Sequence, residues 1–239
     1  MVQQQICKLL SKKGHLEFAS TGDAYGKLDP KNAYGKLDPK NGDSYQIVIT
    51  VDNPDIQSLV TEKRLAEQAC KELEKQIGYG LKIWHQFEYP YPINTADARI
   101  SFVSTDPYFT ENVLAYAGYP SGGLAGIVVF NNKFPWLDGY QRTGAQLRAL
   151  GIILPNMIDN KLYATFNFKQ TLKHELCGHA FGLPHTLDDT DVMNAYYRTD
   201  RLMFGQQSKD LLNLKYGKAD ISKRFVPDAY IKSVMKRKL

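Results

Sequence analysis

Apolar residues along the chain follow two periods, and these predict both strands and helices. Residues 45–51 form an apolar, β-rich run, Tyr-Gln-Ile-Val-Ile-Thr-Val, which stops at the turn residues 52–55. From residue 58 to residue 77, apolar side chains recur every four positions, so we expect one face of this segment to be buried as an amphipathic helix. The residues on that face are Leu65, Ala69, Leu73 and Ile77.

The remaining regular segments are expected farther along the chain. Alternating apolar residues predict a strand within 81–89, and compact apolar runs predict strands at 99–103 and 126–130. Two more helices are expected, one from Lys169 to Phe181 and one from Ser208 to Tyr216. Helices and strands in this mixed order indicate an α+β domain.

The pattern also divides the chain into three parts. Residues 1–43 contain a nine-residue segment, Ala-Tyr-Gly-Lys-Leu-Asp-Pro-Lys-Asn, twice in tandem at 24–41, and its turn-forming content predicts a flexible leader. Residues 44–217 are long enough for one folded domain with a sizeable core. Residues 218–239 hold seven lysines and arginines against two aspartates, which accounts for the net charge of +5, and we expect a basic tail there.

Composition restricts the classes of function. The 43% hydrophobic content is ordinary for a globular protein, and no apolar run approaches the length of a membrane span or of a signal-peptide core. A basic tail can contact nucleic acid, acidic lipid or an acidic partner, but it is more often a solvated end, and we expect no nucleic-acid partner. We expect a monomer, and the sequence does not indicate its compartment.

Candidate chemistry is concentrated at residues 174–185, which read His-Glu-Leu-Cys-Gly-His-Ala-Phe-Gly-Leu-Pro-His. A hydrolytic zinc ion takes three protein ligands and keeps its fourth position for water. We expect Glu175 to take the proton from that water as it attacks a carbonyl. Gly182 can adopt positive φ, which would end the helix and return the last histidine to the metal. The three candidate ligands are His174, His179 and His185.

The spacing of the first two histidines is unusual. On an ideal α-helix, residues four apart lie about 40° from each other around the axis, but residues five apart, such as His174 and His179, lie about 140° apart. A π-helical turn would absorb the extra residue and bring both imidazoles to the same face. Gly178 weakens an α-helix at this point. The alternative is a broken motif that no longer binds metal.

The motif resembles the metzincin signature H-E-x-x-H-x-x-G-x-x-H with one residue added, and its H-E-L-x-G-H spacing is similar to the zinc motif of the dipeptidyl peptidase III family. The order of the expected elements over 44–217 is similar to that of the matrixin branch of the metzincins. Further segments resemble matrixin elements: a strand with the pattern A-D-x-x-I-x-F at 96–102, the substrate-binding edge strand at 123–127, the Met-turn at 191–194 and the closing helix at 208–217.

The resemblance implies a zincin or metzincin-like fold, in which a mixed, twisted β-sheet is combined with a long helix, an active-site helix and a C-terminal helix. It also implies a zinc-dependent endopeptidase that hydrolyses peptide bonds in an extended polypeptide. Met193 is expected to form an apolar floor under the histidines, and Tyr197 to form a wall of the pocket beyond the cleavage point. The substrate-binding strand is expected to include Leu124, Ala125 and Gly126.

One zinc ion per chain is expected, because Gly126 stands where matrixins with a second, structural zinc have a histidine. Calcium is a further candidate, with Asp188, Asp189 and Asp191 as oxygen ligands. Two alternatives to an endopeptidase remain open at this point. One is a non-catalytic peptide-binding module that keeps the metzincin fold, and the other is an exopeptidase that uses the five-residue histidine spacing.

Overall fold

The computed structural model describes residues 6–10, 36–37, 44–51, 59–85, 96–109, 112–121, 123–154 and 156–217. The strands in these ranges are β1 (Ile6–Leu10), β2 (Ser44–Val51), β3 (Gly80–His85), β4 (Ala98–Val103), β5 (Val113–Gly118), β6 (Ile127–Asn131), β7 (Trp136–Leu137), β8 (Gln141–Thr143), β9 (Leu162–Ala164) and β10 (Phe166–Asn167). The helical elements are α1 (Leu59–Ile77), α2 (Gly144–Ala149), α3 (Phe168–Leu172), a π segment (Lys173–Gly178), a 3₁₀ turn (His179–Phe181) and α4 (Gln206–Tyr216). None of these helices is long and apolar enough to cross a membrane.

Six strands form the central sheet, in the order β1-β5-β6-β4-β2-β3. The pairs β2–β3, β2–β4 and β4–β6 are parallel, whereas β5 is antiparallel to β6 and β1 is antiparallel to β5. Every residue of β5 is buried, as is usual for a strand covered on both faces. The mixed sheet, with one long helix and a later helix that carries the histidine motif, confirms the predicted fold class.

The long helix α1 follows the predicted hydrophobic pattern and packs against the sheet. The helix is followed by Gly78, which has a φ of 75° and whose N–H donates to the Glu74 carbonyl at 2.9 Å. Glycine is common after a helix because it adopts the left-handed conformation at little cost. The buried residues on the inner face of α1 are Ala66, Ala69, Cys70, Leu73 and Ile77.

The core beneath the histidine motif is rich in aromatic rings. Phe102 of β4 and Phe130 of β6 stack with their centroids 5.0 Å apart. Phe168, the first residue of α3, lies 5.6 Å from the first ring and 5.1 Å from the second. Because α3 leads directly into the π segment, these ring contacts determine where that segment begins above the sheet.

Two parts of the expected flexible leader pack against the domain. Ile6–Leu10 forms β1 of the central sheet. Leu37 is buried, its carbonyl accepts from the Tyr45 hydroxyl at 2.7 Å, and its N–H donates to the Tyr216 hydroxyl oxygen at 3.1 Å. Hydrogen bonds to folded elements hold these two short segments, and the division of the chain at residue 43 stays a prediction. The rest of 1–43, and the tail 218–239, lie outside the described residues.

The predicted edge strand is misplaced. Leu124, Ala125 and Gly126 form a turn, and β6, which starts at Ile127, lies between β5 and β4, so both of its edges are already paired. Gly126 has a φ of 72°, and a Cβ there would lie 2.3 Å from the Asp97 carbonyl oxygen. These constraints favour a glycine turn and exclude a regular strand. Within residues 44–217 the outermost strand at this end of the sheet is β5.

Leu73→Ala tests the contact between α1 and the sheet. Leu73 is fully buried, and removing a buried leucine side chain costs about 2–5 kcal/mol. We expect the free energy of unfolding, measured in urea, to fall by that amount. Lys71→Ala, on the exposed face of the same helix, should change it by less than about 0.5 kcal/mol. Equal losses for the two variants would contradict the burial of this face.

Candidate metal centre

Three histidine side chains converge on one point. The Nε2 atom of His174 lies 3.0 Å from that of His179 and 3.3 Å from that of His185. Two nitrogens bound to one tetrahedral zinc at 2.0–2.1 Å would lie about 3.3 Å apart. Within the described ranges, these histidines are the only group of three or more His, Cys, Asp and Glu residues placed to hold a metal ion.

For two of the histidines, a backbone carbonyl determines which ring nitrogen faces the candidate metal position. The Nδ1 atom of His174 lies 2.6 Å from the Val192 carbonyl oxygen, and that of His179 lies 2.7 Å from the Leu183 oxygen. A carbonyl can only accept, so each Nδ1 carries the proton and each Nε2 presents a lone pair. Two lone pairs that face each other at 3.0 Å repel unless a cation lies between them. The donor set therefore fits a zinc ion.

The protonation state of the rings also suits metal binding. Burial lowers the pKa of His174 to about 4, although the hydrogen bond to Val192 acts in the opposite direction. Burial, and then the charges of the two neighbouring histidines, hold the pKa of His179 well below its ordinary value. Burial and the charge of His174 do the same to the pKa of His185. Neutral imidazole is the form that binds a metal.

A π segment accounts for the five-residue spacing of the first two histidines. The N–H of His179 donates to the carbonyls of both Glu175 and His174, and the second of these bonds spans five residues. The Leu183 N–H makes another five-residue bond to the Gly178 carbonyl, at 3.0 Å. The extra residue is thus absorbed within one turn, and His174 and His179 face the same point. The predicted π-helical turn is confirmed.

Glycine is required at position 178 by its contact with the Met-turn. A Cβ at Gly178 would lie 2.2 Å from the sulfur of Met193 and 2.5 Å from its terminal methyl carbon. Met193 is fully buried, so its side chain has little room to move. Met193 packs directly against the residue that precedes His179, which agrees with its expected place near the histidines.

The Met-turn is itself held by one buried carboxylate. Asp191 accepts from the N–H of Met193 at 2.9 Å and from the hydroxyl of Ser208, at the start of α4, at 2.5 Å. The residue between Asp191 and Met193 is Val192, whose carbonyl binds His174. Asp191 therefore links the C-terminal helix to the orientation of a candidate ligand.

The turn after the motif helix brings the third histidine back to the centre. Gly182 has a φ of 85° and its N–H donates to the His179 carbonyl at 2.8 Å. The left-handed conformation reverses the chain, as predicted, and His185 lies close enough for its Nε2 to join the other two. Only glycine adopts this conformation readily.

Glu175 and Tyr197 are the other residues expected near the chemistry. Glu175 follows His174 in the π segment, and both of its carboxylate oxygens are buried. The Tyr197 hydroxyl accepts from the Asn167 N–H at 2.7 Å, and its ring packs edge-to-face on Phe166 at 5.2 Å. Tyr197 is thereby fixed beside the start of α3, while its role as a pocket wall stays a prediction.

The expected calcium ligands have protein partners instead. Asp188 accepts from the N–H and hydroxyl of Thr190, Asp189 pairs with Arg201 at 2.8 Å, and Asp191 holds the Met-turn. The three carboxylates do not converge as a metal-binding group in the described part of the chain. Hydrogen bonds and an ion pair account for this acidic loop, and the calcium prediction receives no support.

Sequence reasoning missed the groups that orient the histidines. The carbonyls of Val192 and Leu183 carry no residue-type signature, so no motif points to them. It also missed Lys173, which is buried beside His174 and whose ammonium pairs with Glu72 of α1 at 2.7 Å. This pair ties the π segment to the long helix.

A three-histidine site on a helix and the turn after it, beside a methionine turn and over a mixed sheet, defines a metallopeptidase fold of the metzincin type. The matrixin family model matches residues 44–216, and the chain belongs to this peptidase family. Among solved structures the chain is similar to archaemetzincin from Methanopyrus kandleri, with 18% identity over 72% of this chain and 95% of that chain and a TM-score of 0.42. No curated protein sequence matches it. Membership of the matrixin family implies zinc as the metal and polypeptides as the class of substrate.

Gly178→Ala tests the contact between the π segment and the Met-turn. The new methyl group would overlap Met193, and overpacking of this kind costs about 1–3 kcal/mol. We expect a lower melting temperature and weaker zinc binding. Gly123→Ala is the matched control, because nothing lies within 4 Å of a Cβ there. Partial recovery in Gly178→Ala/Met193→Ala would identify the overlap as the cause, and unchanged zinc affinity in Gly178→Ala would contradict it.

Proposed function

We propose that this protein is a zinc-dependent metalloendopeptidase that hydrolyses peptide bonds in extended polypeptides. The observation that carries the proposal is the convergence of three Nε2 atoms, two of which are turned inward by carbonyls that bind the opposite ring nitrogen. His174, His179 and His185 would hold the zinc ion. Three protein ligands leave one position for water, which is the arrangement of catalytic zinc sites and not of structural ones.

The chemistry needs one proton acceptor beside the metal. The three histidines would hold a zinc ion, which would supply Lewis acidity toward a water molecule and a peptide carbonyl. Glu175 would take a proton from the attacking water and return it to the leaving amine. Its buried carboxylate suits this role, because a charge excluded from bulk water interacts strongly with a nearby proton donor. Met193 is a packing residue under the histidines and not a ligand.

The substrate strand is proposed at the outer edge of β5. Extended peptides bind folded domains by adding a strand to a sheet edge, which supplies main-chain hydrogen bonds; in this structure β1 pairs with the outer edge of β5. β5 contacts both the π segment and the 3₁₀ turn, so a peptide added there would run beside His174 and His179. This position replaces Leu124, Ala125 and Gly126, which lie in a turn. Tyr197 is proposed to wall the pocket beyond the scissile bond.

Two alternatives to an endopeptidase were left open by the sequence, a non-catalytic peptide-binding module and an exopeptidase. A non-catalytic peptide-binding module was suggested by the loss of facing histidines on a straight helix, and the π segment removes that reason. An exopeptidase requires a group that captures a free terminus. An edge strand can instead bind the middle of a long peptide, which favours an endopeptidase.

Glu175→Ala separates proton transfer from metal binding. Because Glu175 is proposed as a base and not a ligand, this variant should keep its zinc and lose casein cleavage, at least about 100-fold. His185→Ala should lose both. Glu67→Ala, an exposed carboxylate on α1, is the control and should keep both. Loss of zinc from Glu175→Ala to the same extent as from His185→Ala would refute the proposed division of roles.

Metal analysis after dialysis should give one zinc per chain. Of the other two histidines, His85 ends β3 and His15 lies outside the described residues, and we expect them to form no second imidazole site. His85→Ala should therefore leave the ratio near one, whereas His179→Ala should abolish binding. A ratio of two in the unaltered chain, reduced to one in His85→Ala, would show that the count is wrong.

A further inference from the structure

A segment from near the N-terminus lies along the outer edge of β5. β1 pairs antiparallel with β5, from Ile6 opposite Gly118 to Leu10 opposite Val113, with one irregularity between Leu9 and Leu10. The opposite edge of β5 is taken by β6. In the described chain, both edges of β5 are therefore filled.

The filled edge is next to the metal centre. β5 contacts the π segment and the 3₁₀ turn, which carry the first two histidines. Tyr119 directly follows β5, and its ring lies edge-on to the His179 ring with a centroid distance of 5.3 Å. Since Ile6 pairs with Gly118, the beginning of β1 is the end nearer to the histidines.

A strand edge accepts only one partner at a time. Each backbone N–H and C=O on the outer side of β5 that binds β1 is lost to any other extended peptide. A polypeptide substrate that adds to this edge, as required by the proposed function on which this inference rests, needs the same groups. β1 and the substrate therefore exclude each other.

We propose that Ile6–Leu10 is an intramolecular competitor of the polypeptide substrate, which binds only after β1 leaves the edge of β5. The chain between Leu10 and Ser44 keeps β1 attached, and a tethered segment of this kind acts at an effective concentration on the order of millimolar. A five-residue strand at the edge of a sheet can open locally while the rest of the domain stays folded.

Kinetics of full-length variants test the competition. Cys7→Pro/Lys8→Pro removes two neighbouring N–H groups of β1, so one of them is a donor to β5 whichever way the ladder alternates. We expect KM for an internally quenched peptide to fall about tenfold or more, with kcat unchanged. Gln3→Pro/Gln4→Pro, which leaves β1 intact, is the matched control and should behave as the unaltered chain. An unchanged or higher KM in the β1 variant, with zinc still bound, would overturn the proposal and leave β1 as a structural strand.

Hydrogen exchange tests the same point without catalysis and without altering β1. In zinc-loaded Glu175→Ala, which binds substrate but does not cut it, saturating unlabelled casein peptide should speed amide exchange at Ile6–Leu10 and leave Val113–Gly118 protected. If substrate binds and the β1 amides stay protected, the two do not share the edge and the proposal fails. If exchange responds as expected but no variant cleaves any peptide, the competition stands and the proposed peptidase function fails.

Discussion

The close approach of three imidazole Nε2 atoms, two of which present lone pairs to each other, is the constraint on which the rest of the site depends. Such an arrangement persists only where each ring is held from behind, and two backbone carbonyls do this for His174 and His179. Those carbonyls belong to the Met-turn and to the chain after the motif helix. The histidine rings are therefore oriented jointly by three elements: the π segment, the left-handed turn at Gly182 and the Met-turn.

These three elements are held in place by contacts to the sheet, to α1 and to α4. Phe168 sets the start of the motif helix over the sheet, and Lys173 ties its first turn to α1 through Glu72. Asp191 connects the Met-turn to the C-terminal helix through Ser208. The geometry of the candidate ligands thus depends on contacts with the sheet, with α1 and with α4. Substitutions at these distant contacts are therefore expected to affect metal affinity.

Elements that depend on neighbouring residues were predicted from the sequence. Features that depend on pairing between distant strands were not. The four-residue period of α1, the apolar run of β2 and the spacing of the three histidines all depend on nearby residues, and the structure contains each of them. β5 was missed because its sequence, Val-Leu-Ala-Tyr-Ala-Gly, is buried at every position and shows no alternation. The edge strand was placed at Leu124 by resemblance to a matrixin segment, and only the strand order shows that, within residues 44–217, the outer strand at this end of the sheet is β5, which contains Leu114.

The closure of the sheet by β1 also concerns the behaviour of the protein in concentrated solution. An uncovered strand edge is a template for any second chain, including another copy of the same molecule, and natural proteins commonly block such edges. A molecule whose β1 has detached exposes the unpaired backbone N–H and C=O groups on the outer edge of β5. The rate of pairing between two such molecules would depend on the square of their concentration, so β1 is expected to limit self-association by covering this edge.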